Sequence, residues 1–382
     1  MIPYRVSGFE LASGLVAGTD RQVAPLRAVP LGCPSGSTRQ ALEACLAGAL
    51  ARPPTLVAFS GGRDSSALLA LACEVARASD LPDPVAITNR FPHDLDSRED
   101  DWQEMVVRHL KIREWVRLDW TDEMDLVGPH AQVVLRRWGT VFPNNSYFLL
   151  PAMKCAASGS LITGIGGDEL FDLPSRSSLS KQALQAGLPL QHRARTMAAA
   201  LSPKWLRHYV YSRRLDAVPW LNKEAQSEVR RLVSSYEATI PLTWSAAVRN
   251  LWWSTRYRLA AETTLAALAA DHDCQMIHPF VDPDVLLSAA SEHPFAGFTS
   301  RTEAMAELVG DLLPEEVIHR RSKAEFSGVN FTDLSRQVAR QWNGDGLDDL
   351  PLDIPALRRT WQADFVDARS FLLLQELWLR NR

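Results

Sequence analysis

Ser60-Gly61-Gly62-Arg63-Asp64-Ser65 places two adjacent glycines between hydroxyls and a carboxylate. Glycines lack a Cβ, so the backbone can turn sharply there and come close to a ligand. Asp64 and Ser65 suit a helix N-terminus, where unpaired N–H groups and the positive end of the dipole attract anions. Such a set reads as a phosphate-binding loop. It is not the Gly-x-x-x-x-Gly-Lys-Ser/Thr type, because no lysine follows the glycines, and it lacks the Gly-x-Gly-x-x-Gly spacing of a dinucleotide turn. The plain alternative is a strand–turn–helix connection with chance glycines. A second turn, Gly164-Ile165-Gly166-Gly167-Asp168-Glu169, is again Gly-rich and acidic. Asp64 and Asp168 are carboxylates from two different strand ends, and hard oxygen ligands suit Mg²⁺. For Asp168 a helix cap is the competing reading.

The elements that must position these turns follow from periodicity. Leu56 to Phe59 is a short apolar run that reads as a buried strand, and Ser65 to Ala72 is Ala/Leu-rich and reads as a helix. Ser37-Thr38 caps a helix leading into that first strand. Val85-Ala86-Ile87-Thr88 and Trp115 to Leu118 are further strands, and Leu161 to Thr163 is a fourth. Residues 122–160 read as helix, a Pro143-Asn144-Asn145-Ser146 loop, and helix again. Strands alternating with helices at this spacing predict an α/β fold with a doubly wound parallel sheet, whose ligands sit at the carboxyl ends of the strands. Both Gly-rich turns lie there. From about residue 180 strand signals vanish, and Ala194 to Leu201, Lys223 to Ser235 and Ala246 to Ala270 have helical spacing. Trp252-Trp253 reads as core packing. The expected organisation is a small strand-and-loop appendage over 1–38, a nucleotide-binding α/β part over 39–175 and a mainly helical substrate part over 176–382, ending in a helix over Ser370 to Leu379.

Composition bounds the partners. A net charge of −4 and a pI near 6.2 leave no general basic footprint for nucleic acid. Cys33, Cys45, Cys73, Cys155 and Cys274 are scattered and odd in number, which argues against a disulfide framework and a structural zinc site. No apolar run of ~18 residues or more is present, and the first residues lack a basic region followed by an apolar one. A cytoplasmic protein with no membrane partner is the expectation.

Ser-Gly-Gly-x-Asp-Ser resembles the pyrophosphate loop of enzymes that cleave ATP between its α- and β-phosphates. Gly164-Ile165-Gly166-Gly167-Asp168-Glu169-Leu170-Phe171 resembles the second signature of the asparagine synthetase synthase domain, whose family includes asparagine synthetases, β-lactam synthetases and lasso peptide cyclases. Arg321-Ser322-Lys323-Ala324-Glu325-Phe326-Ser327 is similar to the family's late lysine-bearing loop, and His278-Pro279-Phe280-Val281-Asp282 to its Pro-Phe-Leu-Asp turn. Three motifs in family order span residues 55–327. The resemblance implies ATP and Mg²⁺ as cofactors. It assigns the metal to Asp64 and Asp168, and nucleotide contacts to Phe59, Ser60, Gly61, Gly62, Asp64, Ser65, Thr88, Gly164, Gly166 and Lys323. Lys323 is the implied catalytic cation; by itself, between so many arginines, it would read as solvated. The family keeps acidic residues near 99–101, which makes Glu99 or Asp101 metal or substrate candidates, whereas their own pattern reads as a solvated helix start.

The implied chemistry is an amide ligation. A substrate carboxylate attacks the α-phosphorus of ATP, pyrophosphate leaves, and an amine takes the acyl group from the adenylate. Full-length asparagine synthetases begin with a glutaminase domain whose nucleophile is a Cys after the initiator Met. Position 2 here is Ile2, and residues 1–38 are too few for such a domain, so free ammonia or a substrate amine is the expected nitrogen source. Ile165 stands where asparagine synthetases carry Glu and β-lactam synthetases Tyr, and it accepts no proton. Glu262, Asp271, His272, Asp273 and His278 remain open as the base. Pro219-Trp220-Leu221 resembles a short motif of lasso-cyclase-like members. The expected function is therefore an AMP-forming amide ligase in peptide or natural-product biosynthesis, with lasso-type macrolactam formation favoured. Its expected partners are a substrate with a carboxylate and an amine, such as a precursor peptide, and a protease or leader-binding protein. The alternatives are ammonia-dependent asparagine synthetase-like amidation, a pyrophosphate-loop RNA-modifying enzyme, or a non-catalytic synthetase-like subunit.

Overall fold

The computed structural model describes residues 2–18, 36–185, 189–213, 218–251, 255–320, 322, 324 and 326–382. Within them lies one parallel sheet of five strands: β1 Thr55–Ala58, β2 Val85–Arg90, β3 Trp115–Asp119, β4 Ser160–Ile162 and β5 Gln275–Ile277, in the order β3-β2-β1-β4-β5. Every neighbouring pair is parallel, with Leu56 opposite Val85 on one side of β1 and opposite Leu161 on the other. The chain moves outward from β1 through β2 to β3, then returns to place β4 on the far side of β1. The strand order therefore reverses between β1 and β4, where an open α/β sheet leaves a crevice at its carboxyl edge.

Successive strand residues point to opposite faces, and the two faces carry separate cores. Val57, Ala86 and Ile162 pack with the helix Arg63–Ala78 on one face. Leu56, Ile87 and Leu161 pack with Val134, Leu135 and Met153 on the other. That is the doubly wound arrangement the alternation predicts. β5 is the difference: no strand is expected after 180, yet Gln275–Ile277 forms the edge beside β4. Three residues are too few to display a period of two, so only the pairing partner defines this strand.

A third core joins segments distant in sequence. Leu11 and Ala12, from a short helix Gly8–Ser13, meet Trp220, Leu221, Leu357, Trp361 and the helix Phe371–Arg380. Trp220 donates its indole N–H to the Ala12 carbonyl, so this part of the Pro-Trp-Leu segment is interior packing. Residues 8–13 are thus helical rather than strand-like. The expected long helix over 246–270 is interrupted: a π-helical stretch Ala247–Leu251 precedes the helix Arg256–Asp271. Trp252 and Trp253 lie outside the described residues. Among those described, no helix is long and apolar enough to cross a membrane.

Candidate active site

The β1 turn is held open by its own hydroxyls. Gly61 sits at φ +87°, a conformation glycine adopts without strain, and Gly62 caps the helix Arg63–Ala78. The Ser65 hydroxyl accepts from the Ser60 N–H at 3.2 Å and donates to the Gly62 carbonyl at 3.1 Å. The Gly62 N–H donates to the Ser60 hydroxyl at 3.3 Å. From outside the loop, Gln103 donates to the Ser60 carbonyl and Arg320 to the Gly61 carbonyl, both at 2.9 Å. Together these bonds fix the loop before any ligand arrives.

The β4 turn closes on it across the strand reversal. A Cβ on Gly167 would stand 2.2 Å from Asp64 Oδ2, and one on Gly164 would stand 3.5 Å from the Ser65 nitrogen. Glycine at 167 is what lets the second turn approach the first carboxylate. Both turns line one cleft of about 530 Å³, together with Arg63, Glu99, Leu149, Arg301, Arg320 and Phe326. Arg301, at the first position of the helix Arg301–Val309, reaches Asp64 at 3.6 Å, Asp168 at 2.5 Å and Asp172 at 3.1 Å. Burial opposes its charge, but the three carboxylates outweigh that and raise its pKa. Arg63, close to Arg301, is shifted downward, by burial first and by the Arg301 charge second. Glu169, beside Asp168, is pushed up mainly by burial, and Tyr257 next to it is raised for the same reason.

The cleft gathers Ser60, Gly62, Asp64, Ser65, Gly164, Ile165 and Asp168 from the residues named by sequence. It does not gather all of them. Phe59 is buried in the core, and its carbonyl accepts from Thr88 Oγ1, which in turn accepts from the Trp115 indole. Both residues support the cleft floor from behind. Gly61 turns toward Gln103 and Glu99 rather than into the cleft. Gly166, at φ +98°, is buried against Val281, so it shapes the turn and does not face the cleft. Lys323 lies outside the described residues, as do Arg321 and Glu325; its neighbours Ser322 and Ala324 line the cleft.

Glu99 corrects the expectation of a solvated helix start. It is paired with Arg320, with side chains only 5% and 3% exposed, while Asp101 is exposed and outside the cleft. The candidate bases also separate. Asp271, His272 and Asp273 precede β5 and so lie at the amino edge of the sheet, where Asp271 pairs with Arg137 and Asp273 accepts from Ser158. Glu262 pairs with Arg258 at 2.6 Å. His278 follows β5 at the cleft edge, with Nδ1 2.6 Å from Thr163 Oγ1, and burial lowers its pKa to about 4. Arg301 and Arg320 were not foreseen. Neither belongs to a motif, and nothing local marks an arginine whose partners come from other segments.

The asparagine synthase family model matches residues 37–379, nearly the whole chain. The chain belongs to the asparagine synthase family. A search of curated proteins found no match. Members of the asparagine synthase family are ATP-dependent ligases, and this chain is accordingly an ATP-using enzyme of ligase type.

Proposed function

We propose that the protein is an AMP-forming amide ligase that adenylates a substrate carboxylate and passes the acyl group to an amine, with macrolactam closure on a peptide precursor as the favoured reaction. The observation that carries this reading is the convergence of Asp64 and Asp168 on one cation, at the strand reversal and beside the Ser60–Ser65 loop. Two carboxylates from different turns that already share a positive charge are a donor set of hard oxygens, which fits Mg²⁺. When bound there, the metal would neutralise charge on the departing pyrophosphate.

The chain's own groups supply the rest. The N–H groups at the start of the helix Arg63–Ala78 and the Ser60 hydroxyl hold phosphate oxygens, and Arg63 and Lys323 add positive charge where pyrophosphate forms. A carboxylate oxygen of the substrate bonds to the α-phosphorus as the bond to the β-phosphate oxygen breaks. The amine nitrogen then bonds to the acyl carbon, the bond to the AMP oxygen breaks, and the proton the amine loses passes to water. Ile165 is 39% exposed on the cleft wall, with Leu149 and Phe326 also lining it. That apolar wall favours a bulky organic or peptide substrate over a small polar amino acid, and so speaks for the specialised reaction over asparagine synthesis. A precursor peptide, with a protease or leader-binding protein, is the matching set of partners.

The experiment is release of pyrophosphate and AMP, in equal amounts, on mixing the protein with ATP, Mg²⁺ and candidate peptides bearing a side-chain carboxylate and a free amine. ADP in place of AMP would overturn the adenylate. Turnover with aspartate and ammonium but no peptide would move the reading to asparagine-type amidation; turnover with tRNA alone would move it to RNA modification. No turnover with intact nucleotide binding would mark a binding subunit.

A further inference from the structure

Arg301 sits where the proposed metal would bind, and this chain supplies it from a helix 133 residues further along than Asp168. The Arg301 side chain is only 15% exposed, and its guanidinium rests 5.6 Å from the centre of the Phe171 ring and spans Asp64, Asp168 and Asp172. Three carboxylates so close would repel one another without a shared cation. The neighbouring Arg63 is held by the Thr302 hydroxyl at 3.1 Å, which places a second guanidinium on the loop side of the same cleft.

We propose that Arg301 is a resident counter-cation, which holds the two carboxylates in place before nucleotide arrives and makes metal binding depend on nucleotide. The inference rests on the reading of Asp64 and Asp168 as metal ligands. A divalent ion entering alone must displace Arg301 from Asp64 and Asp168, leaving a guanidinium with Asp172 alone to balance it beside a dication and close to Arg63. An ion entering with a triphosphate brings new anionic oxygens, to which the released guanidinium can turn in a bidentate grip. Metal and nucleotide therefore strengthen each other's binding, by the same factor in both directions. Arg301 is in this account a positioning residue before nucleotide binds and a phosphate contact afterwards.

The test reads Mn²⁺ binding by electron paramagnetic resonance, with and without α,β-methylene-ATP, whose α–β bridge resists cleavage. In the wild type the analogue should tighten Mn²⁺ binding by about tenfold or more, the usual scale of coupling between two sites. Arg301→Met should bind Mn²⁺ alone about tenfold more tightly than the wild type, and most of the gain from the analogue should disappear. Arg301→Lys keeps a charge but cannot bridge with a planar fork, so it should shift the same way by a smaller factor and serves if the Met variant fails to fold. Wild-type Mn²⁺ affinity in the folded variants, with the analogue's effect intact, would overturn the inference while leaving the metal reading standing. Asp168→Asn separates the two: if it binds Mn²⁺ with the analogue as the wild type does, the metal reading falls and the inference falls with it.

Discussion

Gly167 shows how one missing methyl group permits a site. A Cβ there would stand 2.2 Å from Asp64 Oδ2, too close for both atoms to keep their places. Gly167→Ala should therefore displace the carboxylate, and a misplacement of about 1 Å in a reacting geometry costs roughly a hundredfold in rate. The expected result is pyrophosphate release lowered by that order in a protein with wild-type circular dichroism; unchanged turnover would show that Asp64 is not needed at its observed position. For Lys323 the expected effect is electrostatic. A single ammonium facing a forming pyrophosphate is comparable to an oxyanion donor, at roughly 2.7–4 kcal/mol, so Lys323→Ala should lower turnover by about a hundredfold or more. Nucleotide affinity by calorimetry should fall much less, because the contact strengthens as charge develops. Turnover within about threefold of wild type would make it an ordinary loop lysine.

Between elements, the Glu99–Arg320 pair joins the start of the helix Asp100–Leu110 to the segment that leads into the lysine-bearing loop. Arg320 also donates to the Gly61 carbonyl and lies 4.8 Å from the centre of the Trp102 ring, so one guanidinium ties three pieces of backbone together. Breaking a buried pair from one side leaves the other charge without compensation and costs on the order of 3–5 kcal/mol. Glu99→Gln should lose about that much in urea unfolding, and the double variant Glu99→Gln/Arg320→Met should recover a large part of it. If the single and double variants lose the same amount, the pair is not the source of the effect. The apolar stripes of these helices are legible in sequence. The pair is not, because its members lie 221 residues apart and each alone reads as a surface charge.

For the molecule as a whole, His278 links the carboxyl ends of β4 and β5, and its neutral form belongs to the fold. Its pKa is lowered from 6.5 to about 4, so it favours stability above the unfolded pKa, and that contribution is lost as pH falls toward the folded one. Between about pH 7 and pH 5 the expected loss is on the order of 2 kcal/mol. The ring's partial exposure makes this an upper figure. His278→Gln should flatten that part of the stability profile in urea unfolding. A wild-type-like slope in the variant would assign the acid sensitivity to other groups.

What the sequence determined by itself is the local physics. Adjacent glycines at 61–62 and 166–167, apolar four-residue runs and capped amphipathic helices each constrain a few consecutive residues, and they were enough to predict the parallel sheet and the two Gly-rich turns at its carboxyl edge. What only the tertiary structure decided is everything that depends on residues meeting from far along the chain. A three-residue edge strand has no period of its own, so β5 exists because β4 offers it hydrogen bonds. Thr88 and Gly166 have suitable types for a nucleotide site, yet their side of the backbone faces Trp115 and Val281. Arg301 and Arg320 became central because long flexible side chains settle on whatever opposite charge packing brings within reach, and that choice is made by the assembled fold.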